Sequence, residues 1–583
     1  MTARFLLRLA PGIFGDDRTG RLLLRDGHGF ETRYGDGFQL ACEPGDIALS
    51  LGDYGLVIGK LFSRIDNRAV SDLGPDIRAE VVRTRGQWLL ENCWGGYVAL
   101  LRDPGSTDFF LLRDPSGLLA CYHAAEACGT VYFTNEPELL SLTSFGRGRV
   151  DWTRLSTHLR SSDFRGSETC LLGISELLPG CRLRAAAPKD QEPAWTPWDH
   201  IKPDWRFKRE SPSELLRRTI DNCVGAWART YDHIVMGISG GLDSSIVLSS
   251  LKTAGASPLL YTLATRAPEG DERDFAQNVA DHFEYALSAS HYAMAEINPG
   301  KSHVAHLARP VGNYFVQAVE STVRKHMDLI EGDGAAAIFS GGGGDNVFCF
   351  AASATPAADR LLAEGLGPGF LSTLRDIHSV TGASVPQILT KAISRACRRD
   401  HGHRWKENSH LIAAERSASE TLAFAHPWLD CPRAVPPGKA LHIALLLRFH
   451  NHIERHRRPD LPATIMPLLS QPIIELCLSI PSWSWFEGGI NRSVARAAFA
   501  DRLPTATVRR TVKGRPDSFA LEIYDAHRDA LREMLGEGLL RQQGIIDWHG
   551  VETVLINTAP SHVERLRLLE FGNAEAWARH WTQ

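Results

Sequence analysis

Two hydrophobic patterns divide the chain. Up to about residue 200, short apolar runs alternate with polar positions and are cut by glycine, proline and aspartate, as at 4–9, 55–58, 97–102, 109–113 and 130–133. Runs of that length predict β-strands. From Ser211 the pattern changes: strand-length apolar runs at 234–238, 258–265 and 335–339 alternate with helix-period segments at 213–231, 244–251 and 272–283. In the last, Phe275, Val279 and Phe283 share one helical face. Strands alternating with helices predict a doubly wound parallel sheet, with ligand at the carboxyl ends of its strands. Beyond about residue 355 the chain reads as mainly helical, without internal repeats. The segment 191–209, with Pro193, Pro197 and Pro203, reads as a linker, which divides the chain into 1–200 and 210–583.

Composition narrows this picture. A chain of 583 residues is expected to hold two to four domains. Its 64 basic and 68 acidic residues leave a net charge of −4, so no overall field recruits nucleic acid or anionic lipid. The 11 cysteines are scattered and odd in number, the pattern of reduced thiols rather than of a disulfide framework. Arg4 and Arg8 break the apolar start, against a signal peptide, and no apolar run is long enough for a membrane span. A cytoplasmic protein without nucleic-acid or membrane partners is expected.

The densest chemistry is Ser239-Gly240-Gly241-Leu242-Asp243-Ser244-Ser245, directly after the apolar run 233–238. A strand, a glycine turn and a helix start aim backbone N–H groups at an anion, and the serines add hydroxyl donors. Asp243 would repel a phosphate unless a cation lay between them, which points to Mg2+. The bland alternative is a glycine turn opening an ordinary helix. A second glycine run, Ser340-Gly341-Gly342-Gly343-Gly344-Asp345-Asn346-Val347-Phe348, follows another strand-like segment. Two carboxylates at the ends of two parallel strands can share a hard cation, whereas Asp345 as a mere helix cap is the plain alternative.

The first heptad lacks the lysine of P-loop NTPases and resembles the Ser-Gly-Gly-x-Asp-Ser pyrophosphate (PP) loop of ATP pyrophosphatases. Glu91-Asn92-Cys93-Trp94-Gly95-Gly96-Tyr97, then Arg113-Asp114-Pro115-Ser116-Gly117, then Asn135-Glu136 and Leu178-Pro179-Gly180 resemble, in that order, the glutaminase domain of asparagine synthetases. The resemblance implies an α+β, N-terminal-nucleophile (Ntn) type amidotransferase-like domain followed by an α/β ATP-pyrophosphatase synthetase domain with a helical C-terminal part. It assigns ATP to Ser239, Gly240, Gly241, Asp243, Ser244 and Gly341, and Mg2+ to Asp243 and Asp345. Arg510-Thr511-Val512-Lys513, after Leu503-Pro504, resembles the family segment whose lysine reaches the reacting centre, which makes Lys513 the catalytic candidate although one residue more separates arginine from lysine.

Departures from that family redirect the reading. Thr2 stands where a working glutaminase has its N-terminal cysteine, Gly342 where asparagine synthetases carry glutamate, and Ser470 in Pro467-Leu468-Leu469-Ser470 where they carry aspartate. These departures resemble lasso-peptide cyclases. That resemblance implies adenylation of an Asp or Glu side chain of a precursor peptide, attack by the peptide's N-terminal amine, and a leader-peptidase partner that frees the amine. A β-lactam-synthetase-like or ammonia-dependent asparagine-synthetase-like ligase is the alternative, and a non-catalytic peptide carrier the bland one. The histidines of His450-Asn451-His452-Ile453-Glu454-Arg455-His456 have spacing that could hold a metal, but with their flanking arginines they read sooner as a solvated basic face.

Overall fold

Strand Phe5–Leu9 is buried on both faces although it carries Arg8. In a strand, neighbouring side chains point to opposite sides. Accordingly, Phe5, Leu7 and Leu9 enter one hydrophobic core and Leu6 another. The strand sits inside an antiparallel sheet ordered Ile174–Glu176, Tyr122–Ala125, Val131–Thr134, Phe5–Leu9, Phe38–Cys42, Glu31–Gly35. A second antiparallel sheet runs Gln191–Pro193, Cys181–Arg184, Phe109–Arg113, Cys93–Arg102, Gly55–Ser63, Ile47–Ser50. Leu7 and Leu40 of the first sheet pack with Ile58, Val98, Leu100 and Leu111 of the second. The computed structural model describes all residues except 1–2, 11–29, 107, 267, 313, 331–333, 420–423, 434, 455–460 and 512–516.

The third sheet has five strands, all parallel, ordered Leu287–His291, Leu259–Ala264, His233–Gly237, Ala336–Phe339, Ala463–Ile465. The chain winds to one side of His233–Gly237 and then returns to its other side. The carboxyl ends of His233–Gly237 and Ala336–Phe339 therefore form the crevice where such sheets bind ligands. Both glycine runs leave the sheet there. The mixed α/β character expected from the alternating pattern is present, and the region after residue 355 is largely helical.

The segment 191–209 is not a free linker. Pro193 lies on an edge strand, paired with Cys181, and Pro197–His200 and Trp205–Lys208 are short 3-10 turns. Edge strands and first turns are where proline's missing N–H costs nothing. Helix Pro212–Ala228 then begins on a full capping box, Ser211 with Glu214. Its Trp227 packs edge-on against Phe62 of the second antiparallel sheet at 4.9 Å. Val57, Ala99 and Leu101 of that sheet share a core with Ile220, Val224 and Ile246, so the outer face of the sheet is continuous with the parallel-sheet region.

A buried ionic cluster joins the same two regions. Glu176 accepts hydrogen bonds from Arg113 (2.8 Å), Arg165 (2.9 Å) and Arg309 (2.5 Å). Arg165 also reaches Glu454 and the carbonyl of His450. Burial alone would raise the pKa of Glu176, but Arg165, Arg309 and Arg113 outweigh it and hold the carboxyl below its ordinary range. The Arg113-Asp114-x-x-Gly117 element is thus structural: Asp114 accepts from the Tyr97 and Ser116 N–H groups, and Arg113 donates to the Leu119 and Gly117 carbonyls.

Candidate functional site

The first glycine run forms the turn between strand His233–Gly237 and helix Leu242–Thr253. Gly240 has φ +63°, and a Cβ there would lie 2.3 Å from the Phe275 backbone, so only glycine fits. The helix begins at Gly241 with no side-chain cap, which leaves its first N–H groups for an anion. Two of the serine hydroxyls make long local bonds, Ser239 Oγ accepting from Gly241 N at 3.3 Å and Ser244 Oγ donating to the Gly241 carbonyl at 3.3 Å, whereas Ser245 Oγ donates to the same carbonyl at 2.8 Å. Asp243 lies in the first turn of the helix.

The second run meets the first. A Cβ on Gly341 would lie 2.5 Å from Ser244 N, and one on Gly344 would lie 2.4 Å from Asp243 Cγ. This close approach brings Asp345 beside Asp243. Arg492 Nη1 lies 2.9 Å and 3.1 Å from the two Asp243 oxygens and 2.5 Å from Asp345 Oδ1. Two carboxylates that reach one nitrogen are close enough to share one cation. Among the described residues no cluster of three or more His, Cys, Asp or Glu is arranged for a metal. The donor set thus suits a hard ion that takes its remaining oxygens from phosphate and water, as Mg2+ does.

Asp243, Ser244, Gly341 and Arg492 line a cleft of about 400 Å3 with Tyr261, Tyr292, Glu272, Phe350 and Arg510, and Asp345 is tied to it through Arg492. Arg510 stacks over Phe275 at 3.8 Å, pairs with Glu272 at 2.6 Å and contacts the Ser239 carbonyl. Phe275 is 40% exposed although Val279 and Phe283, on the same helical face, are buried, and its ring lies against the Arg510 guanidinium. Arg496 fastens the same loop, donating to the carbonyls of Asn491, Val508 and Arg510. Burial and then neighbouring Arg492 lower its pKa to about 10.

Ser239, Gly240, Gly241, Asp243, Ser244, Gly341 and Asp345 are therefore brought together. Lys513 and Thr2 lie outside the described residues, although Arg510 and Thr511 place the chain leading to Lys513 at the cleft. Asn491-Arg492-Ser493 resembles the family segment that leads toward the lysine, but the sequence assigns Arg492 no role of its own. Ser470 is a structural residue: its hydroxyl accepts from Trp227 Nε1 and donates to the Pro467 carbonyl. His450 is buried rather than on a solvated face; burial and then Arg113 hold its imidazole well below the ordinary pKa. His456 lies outside the described residues.

At Gly342 a Cβ would meet Phe449 Cζ at 3.2 Å, Met466 Sδ at 3.3 Å and Ser340 Oγ at 3.3 Å. The position occupied by glutamate in asparagine synthetases is backed here by an aromatic ring and a thioether.

No curated protein matches the chain significantly. The asparagine synthase family model matches residues 215–579, which include both glycine runs and the Arg492–Arg510 region. Family members are ATP-dependent ligases that form C–N bonds. On that match, over well more than half its length, the chain belongs to the asparagine synthase family.

Proposed function

We propose that this protein is an ATP- and Mg2+-dependent macrolactam synthetase acting on a ribosomal precursor peptide, as in lasso-peptide maturation. An Asp or Glu side-chain oxygen attacks the α-phosphorus of ATP, and pyrophosphate leaves. The peptide's N-terminal amine then attacks the acyl carbon and loses a proton, and AMP departs with the carboxylate oxygen. The observation that carries the peptide reading is Gly342 itself, which lines the cleft and brings no side-chain carboxylate to hold ammonia or a small ammonium; behind it lie the buried Phe449 and Met466 of the core.

The remaining roles follow from the cleft. The uncapped turn at Gly241, with Ser239 and Ser244, binds the phosphates, and Gly341 keeps the second loop close enough to complete the cradle. Asp243 and Asp345 would hold Mg2+, which neutralises charge on the phosphates when bound. Lys513 would stabilise the negative charge that develops as the amine attacks. The free amine titrates near about 7.7–8, so a strong general base is unnecessary. Orientation is the harder task, met by a shaped cleft that holds amine and acyl carbon together.

Residues 1–200 are, in this reading, a glutaminase-like Ntn domain without ammonia chemistry, and residues 210–583 the synthetase. The buried Arg4–Glu136 pair ties the N-terminal strand of that domain into its sheet. A leader peptidase would supply the free amine.

Pyrophosphate release tests the reading. A core peptide with a free amine and an internal Asp or Glu is expected to drive ATP-dependent release. Aspartate with ammonia, or small β-amino acids, should not. Release with the small acids alone would reject the peptide reading in favour of a small-molecule ligase.

A further inference from the structure

Arg492 stands where the proposed metal would stand. It is a non-glycine residue with φ +54°, a left-handed conformation that persists only when the surroundings enforce it. It is also the residue that precedes helix Ser493–Ala498. Behind it, Arg496 fixes the backbone through the carbonyls of Asn491, Val508 and Arg510. The Arg492 side chain is only 9% exposed. Its Nη1 spans Asp243 and Asp345, its Nε donates to Asn491 Oδ1 at 3.2 Å, and its guanidinium carbon lies 5.1 Å from the centre of the Phe350 ring.

Two carboxylates held this close repel each other unless a cation lies between them. Mg2+ binds oxygen at about 2.0–2.1 Å and demands near-octahedral surroundings. A guanidinium within hydrogen-bond distance of both carboxylates takes the same space and the same lone pairs. The ion and the arginine are therefore alternatives. The cleft is also lined by Ser239, Gly241 and Ser244, so a guanidinium displaced from the acids has the proposed phosphate position beside it. Guanidinium groups bind phosphate oxygens well and bidentately.

We propose that Arg492 is a cation exchangeable with the metal: it bridges Asp243 and Asp345, yields them to Mg2+, and then turns to the phosphate chain of ATP. The proposal rests on the nucleotide and metal reading above and adds an exchange. Metal alone must compete with Arg492 for the two acids. Metal arriving with ATP gives the displaced guanidinium a new anion, so metal and nucleotide bind with positive coupling.

The full-length protein tests this with two titrations, Mn2+ alone followed by electron paramagnetic resonance, and a non-hydrolysable ATP analogue with Mg2+ followed by calorimetry. Each is run on wild type, Arg492→Gln and Arg492→Lys. Losing a charge-assisted hydrogen bond is worth roughly tenfold or more. Arg492→Gln is therefore expected to bind Mn2+ alone about tenfold more tightly and the Mg2+–ATP analogue about tenfold more weakly. Arg492→Lys, a point charge without the fork, should fall between. Effects of opposite sign distinguish exchange from other roles. Weakening of both would mean that Arg492 merely supports the loop, and tightening of both that it merely repels the ion; either overturns the proposal, as does no change in either. Should Arg492→Gln not fold, Arg492→Lys decides by the same signs. If wild type binds no Mn2+ even with the analogue present, the metal reading itself fails, and this proposal with it.

Discussion

At the scale of the residue, glycines and charges do most of the work in this cleft, and they differ in how well they tolerate change. A Cβ at Gly341 would press into the backbone of Ser244 at 2.5 Å, where nothing can swing aside. Gly341→Ala is expected to lose at least about tenfold in ATP affinity by calorimetry, since the helix turn that binds phosphate must shift. At Gly342 the neighbours are side-chain atoms at 3.2–3.3 Å, so Gly342→Ala should keep its nucleotide affinity within about twofold, a ΔΔG below roughly 0.5 kcal/mol. Lys513→Ala should bind ATP as wild type does and lose roughly 10²–10³-fold in product formation, the usual cost of one missing transition-state donor. Normal turnover by that variant would remove Lys513 from the chemistry. The two glycine runs that meet at the cleft were legible from sequence because each directly follows an apolar run of strand length. The contact of Arg492 with Asp243 and Asp345 was not legible: the segment Asn491-Arg492-Ser493 resembles the family, but that contact exists only when distant loops meet.

At the scale of the element, the pattern predicted three of the five strands of the parallel sheet and missed Leu287–His291, which is largely polar, and Ala463–Ile465, which is only three residues long. Phe275 shares a helical face with Val279 and Phe283, yet its ring serves as the platform for Arg510. The proline-rich segment misled for another reason: its prolines occupy an edge strand and first turns, positions that a sequence pattern does not separate from a linker. Trp227 shows what that segment connects. It packs against Phe62 and Trp94 across the seam and donates to Ser470. Trp227→Ala is expected to destabilise the protein by about 3–5 kcal/mol in denaturant titration, the range for a large buried aromatic. A cost below about 1 kcal/mol would show that the seam is not a load on the fold.

At the scale of the whole molecule, the two halves read from the sequence are joined by a shared core and a buried ionic cluster, so division by pattern does not give independent units. Residues 210–583 expressed alone would expose the seam around Ile220, Val224 and Trp227 and should aggregate. The cluster also sets an acid limit. Glu176 is held below its ordinary pKa of 4.5, so the stability it contributes is complete above that value and is lost as pH falls below it. The melting temperature should therefore drop steeply below about pH 4.5. In Glu176→Gln, already less stable by about 3–5 kcal/mol because three buried arginines lose their anion, that acid slope should be shallower. An unchanged slope would assign acid sensitivity elsewhere. The central claim, that this cleft activates a peptide carboxylate on ATP, has a direct isotopic test. A core peptide whose Asp or Glu carboxylate carries heavy oxygen is incubated with ATP, Mg2+ and the protein, and the nucleotide products are read by mass spectrometry. The account predicts AMP bearing one heavy oxygen, formed in step with a cyclic peptide lighter by one water. Unlabelled AMP, or heavy oxygen in inorganic phosphate alongside ADP, would contradict it.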